Sequence, residues 1–417
     1  MHIYFSGIGG VGLGPLAKIA LDAGYEISGS DKEESPMTAA LKNQIDIHIG
    51  QEKENIEAVH KKSPIDWFVY SSALPNDHPE LAFAKENNIR LSKRDDLLAH
   101  IIQEKKLKLI AVAGTHGKTT TTAMLVWLFQ QLNIPVSYSI GSTISFGPSG
   151  AYDKKSEYFV YECDEYDKNF LRFHPHISLI TSLDYDHPDT YPTLESYKTA
   201  FAHFINQSER TVCWEKDKKY LEINNQNIFC PNPSLEETVP LAGKHNRQNG
   251  ALALAVMQKI VDHPLKETAS HLSSFPGTGR RFEKLADNLY SDYGHHPVEI
   301  AATLQMAREL NDHVALVYQP HQNIRQHEIK DQYTDCMQDA EMIYWLPTYL
   351  SREDPDLKVL TPQELAQNLT NYEAVSFKDL DDDLWQHIQA ERKAGTLVLC
   401  MGAGTIDAWV REKLANS

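Results

Sequence analysis

Residues 109–122 read Leu-Ile-Ala-Val-Ala-Gly-Thr-His-Gly-Lys-Thr-Thr-Thr-Thr, and no other stretch limits the fold so tightly. Leu109 to Ala113 is a short apolar run that suits a strand buried in a parallel sheet. Gly114, Thr115, His116, Gly117, Lys118 and Thr119 then open a helical pattern carried by Ala123, Met124, Val126, Trp127 and Leu128. A strand, a glycine-bearing turn, a lysine, a hydroxyl and a helix make a phosphate cradle. Backbone N–H groups and the helix N-terminus face the anion, Lys118 neutralises it, and Thr119 reaches a Mg2+ ion. The pattern departs from G-x-x-x-x-G-K-[ST], because Val112 stands at the first glycine position and shortens the loop. The expectation is a nucleoside triphosphate site; an ordinary strand-to-helix turn is the plainer alternative.

With 417 residues the chain exceeds a single core, and apolar strand-like runs alternate with helical patterns throughout. This predicts α/β domains with parallel sheets. Strands are expected near 2–6, 25–28, 66–71, 158–161, 177–183, 289–291, 313–318, 342–345 and 396–400, and helices near 193–206 and 249–261. Residues 224–239 read as loop, and Asp379 to Asp383 as a solvated helix start. Lys105-Lys106-Leu107-Lys108 and Phe275-Pro276-Gly277-Thr278-Gly279 mark the joints, giving units 1–105, 106–275 and 276–417. A net charge of −17 argues against a nucleic-acid partner, which calls for a basic footprint. No apolar run reaches the length of a membrane span, no signal-peptide pattern is present, and the 5 cysteines are widely spaced. Reduced thiols and a cytoplasmic location are expected. The sequence sets no oligomeric state.

Other motifs lie where strands should end. Gly7-Ile8-Gly9-Gly10-Val11-Gly12 fits G-x-G-x-x-G, with Asp31 closing the next strand, as in a dinucleotide fingerprint. The motif specifies only close approach of backbone to a pyrophosphate, so a UDP-sugar fits as well as NAD. Glu162, at the end of an apolar strand, is a candidate metal ligand, and Asp184-Tyr185-Asp186-His187 closes a second strand with His187 as another. A solvated acidic turn and a structural histidine are the plainer alternatives. Asn246 and Asn249 suit either a helix cap or an adenine edge. Arg280-Arg281 suits polyphosphate. Asp292-Tyr293-Gly294-His295-His296 and Gln319-Pro320-His321, with Arg325 following, end two further strands and should face an active site. The histidine pair lacks further ligands at zinc spacing.

Taken in order, G-x-G-G-x-G, G-T-H-G-K-T-T-T, E-x-D-E, D-H-x-D-T-Y, G-x-H-N-x-x-N, R-R-F, D-Y-G-H-H-P and Q-P-H resemble the Mur ligases of peptidoglycan synthesis, over nearly the whole chain. Within the family the motifs are similar to those of the branch that joins L-alanine to UDP-N-acetylmuramate. The resemblance implies three domains: an N-terminal Rossmann-like UDP-sugar domain, a central P-loop ATPase-like domain and a C-terminal Rossmann-like domain. It implies an ATP- and Mg2+-dependent amide ligation through an acyl phosphate. Gly7, Gly9, Gly10, Gly12, Asp31, Ser71 and Ser72 would then meet the UDP-sugar. Gly114, Thr115, Gly117, Lys118, Thr119, Thr120, Asn246, Asn249, Arg281 and Asp292 would meet ATP. Thr119, Glu162 and His187 would hold the metal, and Lys118, His187, Tyr293, His295, His321 and Arg325 would line the reacting centre and the amino acid. One departure stands out: the alanine branch continues Arg-Tyr-Ser-Arg after Q-P-H, and this chain has Gln322-Asn323-Ile324-Arg325. A branch that attaches a preformed peptide therefore remains an alternative, as does, on the first glycine motif alone, an NAD-dependent oxidoreductase. Phe201 stands where several other Mur ligases place a modified lysine, and the stretch from Trp214 to Gly243 is short for the family.

Overall fold

All five residues of β1 (His2–Ser6) are buried, which places this strand inside its sheet and away from an edge. The computed structural model describes residues 1–71, 74–187, 189–351 and 353–416. β1 is flanked by β2 (Glu26–Asp31) and β4 (Trp67–Tyr70), with β3 (Asp46–Ile49) and β5 (Arg90–Ser92) outermost. The order β3-β2-β1-β4-β5 is parallel at every pairing. The chain order reverses at β1, the kind of position beyond whose carboxyl end open α/β sheets bind ligands, and the Gly7 loop lies there.

The central sheet comprises β6 (Lys108–Ala113), β7 (Val136–Ser139), β8 (Gly150–Ala151), β9 (Tyr158–Glu162), β10 (Ile177–Ile180), β11 (Arg210–Val212) and β12 (Ile228–Phe229), in the order β12-β11-β10-β6-β9-β7-β8. Only β7 with β8 is antiparallel among these pairings. β6 therefore has β9 and β10 as neighbours, and the loops after all three emerge at the same edge. The third sheet runs β13 (Glu283–Ala286), β14 (Leu289–Asp292), β18 (Leu397–Met401), β15 (Val314–Tyr318), β16 (Met342–Trp345) and β17 (Val375–Phe377), with β13 antiparallel to β14. Alternation along β15 sends Leu316 and Tyr318 to one apolar face and Ala315 and Val317 to the other, so both faces are covered by helices. No helix among the described residues is long and apolar enough to cross a membrane.

The chain divides into two compact units: Met1–Leu235 with Gly250–Phe275, and Glu236–Asn249 with residues from Pro276 onward. Within the first unit one apolar core runs through the first two sheets, from Ile3, Leu16, Ile19, Leu97 and Ile101 to Phe159, Tyr161 and Phe170. Tyr161 donates to Asp95 at 2.7 Å inside it. Phe201 is fully buried against Phe170 and Tyr197, a core position.

Two expectations are corrected. Residues 224–239 contain β12 and a 3-10 turn at Pro233–Thr238. The helix expected from Asn249 begins at Lys244. Its first amides are satisfied by side chains of a neighbouring helix: Gly243 N donates to Glu309 at 2.9 Å and Lys244 N to Gln305 at 3.0 Å. Local polarity in the sequence hides this arrangement.

Candidate active site

The loop after β1 is held from beneath. Gly7 N and Ile8 N donate to Ser30 O at 2.8 and 3.0 Å, and Gly9 N donates to Asp31 Oδ2 at 2.7 Å. Gly10 N closes the turn on Gly7 O at 3.1 Å, and Gly12 caps the helix Leu13–Asp22. A Cβ on Gly9 would stand 2.7 Å from Ser35 Oγ and 2.8 Å from Asp31 Oδ2, and one on Gly12 would stand 2.9 Å from the Arg94 guanidinium. Ser71 lies against Gly7, and Ser72 falls outside the described residues. Behind the loop a buried carboxylate, Glu80, accepts from the hydroxyls of Tyr4 (2.6 Å), Ser6 (2.6 Å) and Ser30 (2.8 Å). Three donors satisfy a charge that burial would otherwise make costly. Arg94 and Glu80 carry no motif and were not anticipated.

The loop after β6 is strapped to the loop after β10. Gly114 has φ +129°, and a Cβ there would stand 2.5 Å from Thr181 Oγ1 and 2.7 Å from Ser182 O, so only glycine fits. Thr115 N donates to Ser182 O at 2.9 Å, His116 N to Ser182 Oγ at 3.1 Å, and Thr115 Oγ1 to Asp184 O at 2.8 Å. Gly117, at φ +84°, caps the helix Lys118–Gln131, which carries Thr119 and Thr120 in its first turn.

Lys118 Nζ donates to Gly114 O at 2.6 Å and to both oxygens of Glu165 at 2.9 and 2.8 Å. The pair is buried, with Glu165 side-chain exposure of 1%. Burial pulls the Lys118 ammonium down, but Glu165, Asp164 and Glu162 outweigh it and the net shift is upward. Lys118 is therefore a permanent cation at the Gly114–Gly117 loop. Burial raises Glu165, opposed by Lys118. Glu165 was missed as a site residue: three carboxylates crowd Glu162-Cys163-Asp164-Glu165, and spacing does not say which one turns inward.

Thr119 Oγ1 donates to Glu162 Oε1 at 2.7 Å, and Gly141 N fixes Glu162 Oε2 at 2.7 Å. A hydroxyl and a carboxylate side by side are hard oxygen donors of the kind Mg2+ takes. His187, at φ +57°, stands 3.8 Å from Glu165 Oε1 and 3.8 Å from Asp186 Oδ2. No cluster of three or more His, Cys, Asp or Glu residues suited to a metal ion occurs among the described residues.

The second unit gathers the remaining candidates. Asp292 Oδ2 accepts from Phe282 N and Oδ1 from Gly294 N, both at 2.7 Å, so it clamps the arginine pair's turn onto β14. Burial pushes its carboxyl up to about 6, against the pull of Arg281. Arg280 and Arg281 lie over the Tyr293 ring at 4.7 and 4.9 Å. Asn246 Nδ2 reaches Ala242 O at 3.3 Å and Met306 Sδ at 3.2 Å, and Asn249 is buried. Beyond β14 and β15, the rings of His295 and His321 meet edge to face with centroids 5.5 Å apart. His295 Nε2 contacts the Arg325 guanidinium. Burial lowers His295 to about 4, with Arg325 adding to the effect against Glu299, and burial and Arg325 also lower His321. Both rings are neutral at pH 7. His321 stacks on Tyr349 at 5.7 Å, and its Nδ1 is buried with no partner among the described residues.

Residues 2–106 match the Mur ligase family, catalytic domain; residues 112–231 match the Mur ligase middle domain; and residues 280–404 match the Mur ligase, glutamate ligase domain. The chain belongs to the Mur ligase family. Among relatives of this Mur ligase, the UDP-N-acetylmuramate–L-alanine ligase of Clostridium botulinum (strain Loch Maree / Type A3) is 32% identical over 447 residues, covering 97% of this chain and 95% of the relative. The enzyme of the same name from Carboxydothermus hydrogenoformans is 32% identical over 454 residues, covering 98% and 95%. The crystal structure of the UDP-N-acetylmuramate–alanine ligase of Thermotoga maritima shares the fold with a TM-score of 0.75 at 24% identity, covering 100% of this chain and 99% of that one. A murein peptide ligase of Psychrobacter arcticus shares it at 0.63 and 23%, covering 100% and 98%. The three-domain α/β architecture read from the motifs is thus the fold of this Mur ligase.

Proposed function

We propose that this chain ligates L-alanine to the lactyl carboxylate of UDP-N-acetylmuramate, with ATP cleaved to ADP and phosphate, in the cytoplasm. The observation that carries the reading is the group at the ends of β6 and β9: a buried lysine cation, a helix N-terminus and a hydroxyl–carboxylate pair, all at one phosphate-sized loop. The lactyl carboxylate attacks the γ-phosphorus of ATP and expels ADP. Alanine, having lost its ammonium proton, attacks the acyl phosphate through its neutral amine, which expels phosphate and releases a second proton as the amide forms. Every partner in the first step is an anion, so positive charge must be fixed in place beforehand. Lys118 supplies it, and the amides of the Gly114–Gly117 turn add their dipoles. Thr119 and Glu162 would hold Mg2+, which supplies Lewis-acid neutralisation of the phosphate oxygens. Gly7, Gly9, Gly10, Gly12, Asp31 and Ser71 take the UDP-sugar, with Arg94 against Gly12 as added positive charge.

The second unit suits the acceptor. Alanine arrives with an ammonium and a carboxylate. Arg325 pairs the carboxylate, and the neutral rings of His295 and His321 do not repel the ammonium as imidazolium ions would. His321 Nδ1, buried and without a partner among the described residues, is an acceptor available to the amine. A preformed peptide acceptor is the second reading, favoured by Gln322 in place of an arginine. An NAD-dependent oxidoreductase leaves the Lys118 loop without a purpose.

The test is ADP release from Mg-ATP and UDP-N-acetylmuramate, with L-alanine, L-serine, glycine and an L-alanyl-γ-D-glutamyl tripeptide offered separately. Release with L-alanine alone supports the proposal. Release with the tripeptide alone moves the chain to the second reading, and no release with any acceptor defeats both.

A further inference from the structure

Three buried side chains join the two histidine-bearing loops of the C-terminal sheet. Tyr318, the last residue of β15, places its hydroxyl 2.9 Å from His295 O and 2.8 Å from the Tyr333 hydroxyl. Tyr333 donates to Gln326 Oε1 at 2.6 Å, and Gln326 Nε2 donates to His321 O at 3.0 Å. Tyr318, Tyr333 and Gln326 are all fully buried. Both phenol rings pack edge-on against Trp345 at 5.2 Å. The line of contacts therefore runs from one peptide carbonyl to the other through the interior.

Counting protons shows how the line is held. The His321 carbonyl requires the amide nitrogen of Gln326, so the amide oxygen faces Tyr333 and takes that phenol's only proton. Tyr318 is left with one proton for two acceptors, His295 O and the Tyr333 oxygen. Burial raises both phenols well above their ordinary range, so both stay protonated. The His321 peptide thus has an unshared donor, and the His295 peptide a shared one. Phenylalanine at 318 and 333 would fill the same space against Trp345, so the hydroxyls add direction to a contact that packing alone would leave loose.

We propose that Tyr318, Tyr333 and Gln326 are positioning residues that fix His295 and His321 relative to each other for the acceptor amino acid. The proposal rests on reading His295, His321 and Arg325 as the acceptor region.

The experiment compares Tyr318→Phe, Gln326→Met and Arg325→Lys in the full chain, with separate Michaelis constants for L-alanine, ATP and UDP-N-acetylmuramate and a thermal melt for each. Tyr318→Phe keeps the ring and cuts the His295 end; Gln326→Met cuts the His321 end. Loss of one such hydrogen bond predicts a KM for L-alanine raised about three- to tenfold in each, with the other two constants within about twofold of the parent. A KM for L-alanine within about twofold of the parent in both variants would overturn the proposal. So would a parallel rise in all three constants with a lowered melting temperature, which marks the hydroxyls as structural only. Should one variant be insoluble, the other reads the line from its opposite end. Arg325→Lys separates the two levels: if it leaves the L-alanine constant unmoved, the acceptor assignment itself fails. If it raises that constant while the other two variants do not, only the relay fails.

Discussion

The chain builds two glycine loops at the ends of inner parallel strands, and they recruit positive charge in opposite ways. The loop after β1 has no cation of its own; Arg94, from a separate helix, lies against Gly12. The loop after β6 ends in Lys118, held on Gly114 O and Glu165. A pyrophosphate that only has to be held needs backbone amides and a fixed neighbour. A phosphoryl group that has to move needs a cation within the loop, because charge migrates during transfer. An aspartate also lies under each region: Asp31 holds Gly9 N in the loop after β1, and Asp217 holds Leu183 N in the loop after β10, to which the loop after β6 is strapped; the second is buried with its Oδ2 unpartnered among the described residues.

Lys118→Ala breaks this comparison most sharply. ADP formation should fall at least about a hundredfold, while calorimetry still detects UDP-N-acetylmuramate. Normal turnover would mean that the loop after β6 is not the phosphate loop. Next come the matched glycine variants. Gly114→Ala meets a positive φ and the Ser182 backbone, and should cost about 2–4 kcal/mol in chemical denaturation. Gly9→Ala keeps an ordinary φ and meets short side chains, Ser35, Asp31 and Thr38, with no backbone atom among its closest contacts; it should cost less, about 1–2 kcal/mol, and weaken UDP-sugar binding about tenfold. Equal stability losses would erase the contrast between the loops.

Asp217 gives a smaller, pH-dependent effect. Burial raises it to about 6, opposed by Lys216 and the Leu183 amide. A carboxyl raised in the folded state favours folding while protonated, and that contribution is lost as pH climbs from about 4 through about 6. Asp217→Asn should match the parent near pH 4 and exceed it by about 1–2 kcal/mol at pH 7. A gap that is the same at both pH values counts against a titrating buried carboxyl. Smallest is Gln322→Arg, expected to lower the KM for L-alanine by about two- to fivefold. An unchanged constant removes the missing arginine as a determinant of acceptor choice.

What could be read without coordinates was what sterics force locally. Gly114 must be glycine because its φ and the Thr181 and Ser182 contacts forbid a Cβ, and such positions leave a motif. Glu162 was legible because it closes an apolar strand. Glu165 was not, since three closely spaced carboxylates lie at the end of β9 and only the folded backbone decides which one meets Lys118; the turn that starts at Glu165, with Asp167 and Lys168 left-handed, leaves no mark in composition. β8 and β12, two residues each, are too short to show a period. The first turn of the Lys244 helix depends on Gln305 and Glu309, far along the chain. The contacts among Tyr318, Tyr333 and Gln326 exist only once β15 and the helix after it are folded.

The apolar core that runs from Ile3 and Leu16 to Phe159 and Phe170 has a consequence for anyone recombining such enzymes. Cutting the chain at the first joint would lay bare Leu97, Ile101 and their partners, and would strand Asp95 without the Tyr161 hydroxyl. A chimera that borrows the first hundred or so residues from a relative therefore has to borrow the facing surface of the central sheet as well. The unit of exchange is the pair of sheets, which holds both glycine loops and so would carry the two proposed nucleotide grips together.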